Sequence, residues 1–370
     1  MILDEPVRGR FAYLEHPWLL SLSGMEQMRR FLRKEIPYGP LYYLCGGDLV
    51  ETGPGSSTFS MAASPWLQSS AGVMTGGVLA LIADAALGGA LLTTFESNTA
   101  LATSELSMNF LRPATTASGS LIARAKLIQA GRSQGLTEAS VEDARGHLLA
   151  HATSRCVILR LPEAPPPPPD PFPIGWPTYE GPDPYQRPVE GEVVPQETWD
   201  RLSGLEMMEA WTRDELPCAP IEYLLSLTSD EVSESTYTCS MPASQWLCTS
   251  GGTFYGGALA MLADYAMNGA VQTVVGPGTS WGTLDLKVNF LRPVVPDGRP
   301  LQARARIVHR GRTVAVASAE LEGADGKTVA LANSSAMLMP NRPWQPAAPA
   351  APIDDAPADE PDRAVDTQPA

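Results

Sequence analysis

The sequence predicts an α+β chain made of two tandem copies of one domain, each a long apolar helix covered by an antiparallel sheet. Three observations lead there. Blocks recur at a fixed offset of 180, GGVLALIADAALGGA at 76–90 answering GGALAMLADYAMNGA at 256–270, and NFLRP at 109–113 answering NFLRP at 289–293. The repeated long block is apolar nearly all round, the pattern of a buried helix. After it the period falls to two: Leu284, Leu286, Val288 and Phe290 alternate with Thr283, Asp285, Lys287 and Asn289, as in a half-buried strand.

The elements follow in order. Residues 1–22 form an N-terminal extension. Met25, Met28, Phe31 and Leu32 have helical spacing within Ser23–Glu35, with Ser23 as N-cap and Pro37 as the stop. A strand region runs to about Ala62, then a loop through Trp66 and Gly72, then the helix from Gly76 to Leu92. Three more strands near 119–130, 133–143 and 147–159 are separated by turn signals at Gly131 and Ala144-Arg145-Gly146. The same order in the second copy gives domains at 23–160 and 203–340. A repeat of this length exceeds the ~20–50-residue periods of solenoids, so the chain reads as a covalent pseudo-dimer. Between the copies, 161–202 is too proline-rich for helix or central strand and reads as a stiff spacer. The tail 341–370, rich in proline, alanine and acid, reads as disordered.

Of the 370 residues 35 are proline, and the net charge is −15. Pro162–Pro195 and Pro343–Ala370 each carry six acidic residues against one arginine, so most of the excess lies outside the repeats. With no basic stripe, nucleic acid is excluded as a partner. The five cysteines are scattered without a CxxC, which argues against a disulfide framework and against a zinc site, and implies a reducing compartment. The N-terminus has charges where a signal peptide would be apolar, and no stretch reaches ~18 uninterrupted apolar residues. A cytoplasmic protein with no membrane partner is expected. None of the four histidines stands in a nucleophile motif.

Each long helix carries one charge, Asp84 or Asp264. A carboxylate in a core costs several kcal/mol or raises its own pKa, so it calls for a partner or a task. The pairs Gly76-Gly77 and Gly256-Gly257 stand at the helix starts, where free N–H groups favour developing negative charge and glycine admits close approach. Asp84 lies ~12 Å along the helix from Gly76, so the two cannot act on one atom. Antiparallel helices across a pseudo-two-fold axis would instead bring Asp264 to Gly76 and Asp84 to Gly256, giving two composite sites.

The string x-G-G-x-L-A-x-x-A-D, followed by Thr-x-x-Leu, N-F-L-R-P and a G-R turn, resembles hotdog-fold acyl-CoA thioesterases of the phenylacetate-degradation (PaaI-like) type, over roughly 40–160 and 220–340. The resemblance implies a sheet wrapped round the helix, sites at the interface of two hotdogs, and hydrolysis of an acyl-CoA thioester, with CoA entering as part of the substrate and no cofactor or metal. Carried over, Asp84 and Asp264 match the catalytic carboxylate as base or nucleophile. Gly76 and Gly256 match the glycine that polarises the carbonyl, and Thr103 and Thr283 a positioning hydroxyl. Gly77 and Gly257, with Arg112, Arg292, Gly131-Arg132 and Gly311-Arg312, fall where that family contacts substrate. Two positions depart from the pattern: Thr75 and Tyr255 stand where histidine is usual, and Ser69 and Thr249 where an amide side chain is. These departures favour the alternative, a double hotdog that binds acyl-CoA without turning it over; the retained aspartates favour the enzyme. Tyr255, as a neighbour shaping the site of Asp84, tilts the weight toward that aspartate. The resemblance also allows two chains to pair into a four-hotdog assembly.

Overall fold

In the computed structural model, which describes residues 2–170, 172 and 177–344, the repeated apolar blocks form two helices of equal length. Residues Gly76–Leu92 are α4 and Gly256–Gln272 are α8. Before α4 come α1 (Ala12–Glu15), α2 (Gly24–Leu32), α3 (Pro40–Cys45) and the hairpin β1 (Gly47–Gly53) and β2 (Ser56–Ala62). After it come β3 (Thr99–Phe110), β4 (Ser120–Ala130), β5 (Gln134–Asp143) and β6 (Leu148–Arg160). The second half repeats this with α5 (Gln196–Arg201), α6 (Gly204–Thr212), α7 (Pro220–Leu225), β7 (Thr228–Ser233), β8 (Thr236–Pro242), β9 (Thr279–Phe290), β10 (Pro300–Arg310), β11 (Val314–Glu322) and β12 (Thr328–Pro340).

All twelve strands join one antiparallel sheet in the order β1-β2-β4-β5-β6-β3-β9-β12-β11-β10-β8-β7. The halves meet at β3 and β9, where Ser107 faces Lys287 and Leu106 faces Val288. The central pair Ser107–Lys287 obeys the 180-residue offset, and that offset exchanges Leu106–Val288 with Met108–Leu286 on its other side, so a pseudo-two-fold axis passes through the seam. Each half of the sheet curves round its own helix, and α4 packs against α8. These are two tandem hotdog domains sharing one sheet.

Local sequence explains most boundaries. Ser23 caps α2, its hydroxyl accepting from the Glu26 amide at 3.3 Å. The expected strand region after Pro37 begins instead with α3, for which Pro40 supplies the first helical residue and Gly46, at φ 70°, the left-handed stop. The expected spacer is extended only in part. Its C-terminal portion folds into α5, where Trp199 is buried and its Nε1 donates to the Val194 carbonyl at 3.2 Å. Upstream, Arg8 pairs with Asp183 at 3.1 Å and the Trp66 indole donates to the Arg187 carbonyl at 3.2 Å. The N-terminal extension makes the reciprocal contact, with the Trp246 indole donating to the Glu5 carbonyl at 3.0 Å. Segments outside the recognised repeat thus wrap the opposite half. The expected tail lies, from residue 345 on, outside the described residues.

The close approach of α4 and α8 depends on glycine. A Cβ on Gly77 would stand 2.5 Å from Met261 Sδ and 2.6 Å from Met261 Cα, and one on Gly257 would stand 3.0 Å from Leu81 Cα. Gly77→Ala is therefore expected to cost about 1–3 kcal/mol through overpacking, read by urea unfolding. Gly88→Ala serves as its control, because a Cβ there meets only Leu101 Cδ1 at 3.9 Å; removing a helical glycine should leave stability unchanged or raise it by about 0.5–1 kcal/mol.

Candidate active site

Asp84 and Asp264 project from mid-helix into the contact between α4 and α8, where they are 4% and 0% exposed. Each accepts a hydrogen bond from the first turn of the opposite helix. The Gly257 amide donates to Asp84 Oδ2 at 2.8 Å, and the Gly77 amide to Asp264 Oδ2 at 2.7 Å. The helices cross as helix length predicts, each aspartate lying at the glycine pair of the other half, and the carboxylates are bound by the second glycine of each pair, Gly77 and Gly257. The physical reason is that the second glycine faces the partner helix. Gly76 instead lines a cavity, and its amide donates to no acceptor among the described residues.

The two carboxylates differ in their remaining partners. Thr103 Oγ1 donates directly to Asp84 Oδ1 at 3.2 Å. Its counterpart Thr283 donates instead to Asn268 Oδ1 at 3.1 Å, and Asn268 Nδ2 donates to Asp264 Oδ2 at 3.1 Å. Asn268 lies one turn beyond Asp264 on α8, whereas the first half has Gly88 at that place. Among the described residues no donor bonds to Asp264 Oδ1, the nearby Thr75 hydroxyl lying 3.7 Å from Met261 Sδ instead. Burial pushes both carboxyls up to about 6, partly opposed at Asp84 by the Gly257 amide and Thr103, and at Asp264 by the Gly77 amide, the nearby Thr75 hydroxyl and Asn268.

Space distinguishes the sites further. A cavity of about 920 Å³ opens beside Asp264, walled there by Thr75, Gly76, Asn268 and Thr283. At one end are first-half residues, including Ser69, Ser70, Phe110 and Arg112. The rest is second-half, with Tyr237, Tyr265 and Glu222 on one wall and Trp199, Trp211, Trp281 and Trp344 on another. Tyr265 donates to Glu222 Oε1 at 2.8 Å. Beside Asp84 the corresponding space is filled. Tyr255, the counterpart of Thr75, is 7% exposed and donates to the Leu81 carbonyl at 2.8 Å. With Tyr42 and Phe59 it leaves a void of about 20 Å³, room for about one water. Tyr255, expected to shape a site at Asp84, fills with its ring the space that stays open beside Asp264.

Ser69 lines the cavity with its hydroxyl donating to the Val73 carbonyl at 2.7 Å, and Arg112 lines it with Nη1 donating to the Leu148 carbonyl at 2.7 Å. Thr249 pairs with the Thr253 hydroxyl at 2.9 Å, away from the cavity. Arg292 is exposed and outside the lining. Gly131-Arg132 and Gly311-Arg312 turn the β4–β5 and β10–β11 hairpins, where the Gly131 amide donates to the Gln134 carbonyl at 2.8 Å and the Gly311 amide to the Val314 carbonyl at 2.7 Å. Neither arginine reaches the cavity. Sequence reasoning missed Asn268, Tyr265, Glu222 and the tryptophans. Their signal lay where the two halves differ, at Gly88/Asn268, Ala85/Tyr265 and Tyr42/Glu222.

A family model described as "Thioesterase superfamily" matches twice, at residues 71–150 and 251–330. Comparison with curated proteins gives no match. Among solved structures, a tesB protein of Mycobacterium avium subsp. paratuberculosis is 14% identical over 81% of this chain and 98% of its own, with a TM-score of 0.50. An acyl-CoA thioesterase II, TesB2, of Mycobacterium marinum is 15% identical over 83% of this chain and 99% of its own, at 0.47. A phenylacetic acid degradation-related protein of Ralstonia eutropha is 29% identical over 35% of this chain and 98% of its own, at 0.33. No helix among the described residues is long and apolar enough to cross a membrane.

The carboxyls make stability depend on pH with a definite sign. Each pKa is raised from 3.8 to about 6, so the folded state binds protons more tightly than the unfolded chain. The resulting stabilisation is full below pH 3.8 and is lost as pH rises through about 6. Asparagine carries no such dependence. The stability of Asp84→Asn or Asp264→Asn relative to the unsubstituted protein should therefore improve between pH 4 and pH 7, by about 2 kcal/mol at each site, measured by denaturant unfolding at the two pH values.

Proposed function

We propose that the chain is an acyl-CoA thioesterase that works at one of its two crossed sites, the one built from Asp264 and the first turn of α4. The observation that carries this is the pairing of a buried carboxylate, one oxygen free of partners, with a cavity of about 920 Å³. The double match to the thioesterase superfamily supports the reaction class.

The geometry suggests how the reaction would run. The thioester carbonyl would lie against the start of α4, where the Gly76 amide and the helix dipole favour the developing oxyanion. Asp264 is fully buried and does not itself line the cavity, so it suits a base that draws a proton from water better than a nucleophile that must touch the thioester carbon. Water adds its hydroxyl to the carbonyl carbon and leaves its proton on Asp264. The intermediate collapses, the C–S bond breaks, and the departing CoA thiolate takes that proton. Asn268 and Thr283 hold the carboxylate in place. The cavity end bearing Ser69, Ser70 and Arg112 suits the CoA arm, and the tryptophan-lined interior suits a medium-chain or aryl acyl group. The five unpaired cysteines suit the reducing cytoplasm.

Thiol release from a panel of acyl-CoAs tests this reading. Asp264→Asn is expected to lower kcat/KM by about 10²–10⁴, while Asp84→Asn leaves it essentially in place. The acid limb of kcat/KM should fall tenfold per pH unit below about 6, because the base must be ionised. Binding of acyl-CoA without turnover would replace the enzyme by the binding-protein reading. Loss of activity in Asp84→Asn alone would move the site to the other carboxylate.

A further inference from the structure

The second half carries polar groups that the fold does not require, gathered in the part of the cavity farthest along α8 from Asp264. Ser280 is 2% exposed and lines the cavity, yet its Oγ has no hydrogen-bond partner. Trp344 lines the same cavity, and its Nε1 also has no partner. Gln272, 5% exposed and also in the lining, uses Oε1 to accept from the Trp281 indole at 2.9 Å, while Nε2 makes only a 3.9 Å contact to Met207 Sδ. At the corresponding positions the first half has Ala100, Ala164 and Leu92. The first half thus folds with apolar side chains where the second keeps donors without acceptors. A buried donor left unpaired costs about 1–3 kcal/mol, and two such donors in one wall, beside an amide nitrogen held only by a sulfur, point to something that binds there.

These groups lie at a measurable remove from the reacting end. Gln272 is eight residues beyond Asp264 on α8, ~12 Å along the axis. Ser280 is three residues before Thr283 on β9, ~10 Å along the strand. That span matches an acyl chain of medium length reaching from the thioester to the tryptophan wall.

We propose that this end of the cavity recognises a neutral acceptor oxygen, a ketone carbonyl near the far end of the acyl group, so that the preferred substrates are oxoacyl-CoAs. The inference rests on reading the cavity as an acyl-CoA site. Two of the three groups, the Trp344 indole and the Gln272 amide nitrogen, can only donate, so the ligand atom must accept. A neutral oxygen fits better than a terminal carboxylate. The donors are uncharged, Glu222 stands on the cavity wall, and Arg342, which also lines the cavity, is exposed to solvent with its Nη1 on Met339 Sδ at 3.3 Å. A carboxylate buried against neutral donors, with the Arg342 charge already solvated, would not recover its desolvation cost.

The experiment compares octanoyl-CoA, 7-oxooctanoyl-CoA and 7-carboxyheptanoyl-CoA by thiol release with the full chain, and by calorimetric binding to the Asp264→Asn protein. The oxo compound is expected to show about tenfold higher kcat/KM and tighter binding than octanoyl-CoA, the worth of one well-made hydrogen bond to a buried donor. Ser280→Ala and Trp344→Phe, which keep packing and remove one donor each, should both bring that ratio toward one. Equal constants for the oxo and unsubstituted compounds would overturn the proposal, as would a ratio that neither variant moves or a preference for the carboxylate. Tighter binding of the oxo compound with no turnover of any thioester would uphold this inference while defeating the hydrolytic reading.

Discussion

The contact between α4 and α8 at Gly77 and Gly257 is the interaction on which the remaining structure depends. Without side chains at these positions the helices approach until a Cβ would meet backbone atoms of the partner. That approach seals the two carboxylates from water and brings each one to an amide in the first helical turn. Such amides have no acceptor within their own helix, so the carboxylate and the helix end satisfy one another. Packing and chemistry are here one interaction: the glycine that permits the contact is also the donor that fixes the charged group. The shared sheet follows from it, because β3 and β9 can pair only if the helices beneath them sit at a matching distance.

Within that symmetric frame a handful of side chains produce two different outcomes. Tyr255 in place of Thr75 fills the room beside Asp84. In the other half a threonine leaves the space open, and Asn268 in place of Gly88 adds a link between carboxylate and hydroxyl. The aromatic residues that replace small or aliphatic ones, Tyr265 for Ala85 and Trp281 for Leu101, line the open cavity rather than close it. The same backbone frame thus holds an open cavity beside one carboxylate and close-packed core beside the other.

The sequence displayed the repeat, both long helices and the crossing of the sites, because these rest on periodicity and on the fixed rise of a helix. It did not display α3, whose six residues are too few for a period and whose signals are one proline and one glycine. Nor did it reveal the folding of α5, because the surrounding prolines mask a short amphipathic turn whose only strong anchor is Trp199. That the second glycine of each pair would bind the opposite carboxylate depends on which residue faces the partner helix, a matter of a third of a turn that no motif encodes. The same limit applies to Arg132 and Arg312, whose positions at hairpin tips carry them away from the cavity that their sequence neighbours suggest.

The survival of Asp84 beside a closed cavity shows why a chemically apt residue is weak proof of activity. Asp84 accepts from the Gly257 amide and from the half-buried Thr103, so replacing it with an apolar side chain would strand the buried Gly257 amide at about 1–3 kcal/mol. Burial raises its pKa to about 6, a burden near neutral pH that selection for stability alone would remove only through a residue that can still satisfy both partners. Asparagine meets that need, its Oδ1 accepting from the Gly257 amide and its Nδ2 donating to Thr103 Oγ1, since a hydroxyl also accepts. The polar side chain is therefore held in place by neighbours that an apolar one would strand. Its retention in both halves is explained by hydrogen bonding, and the evidence for a working site rests on what differs between the halves: the open cavity, the unpartnered Oδ1 of Asp264, and the linking Asn268.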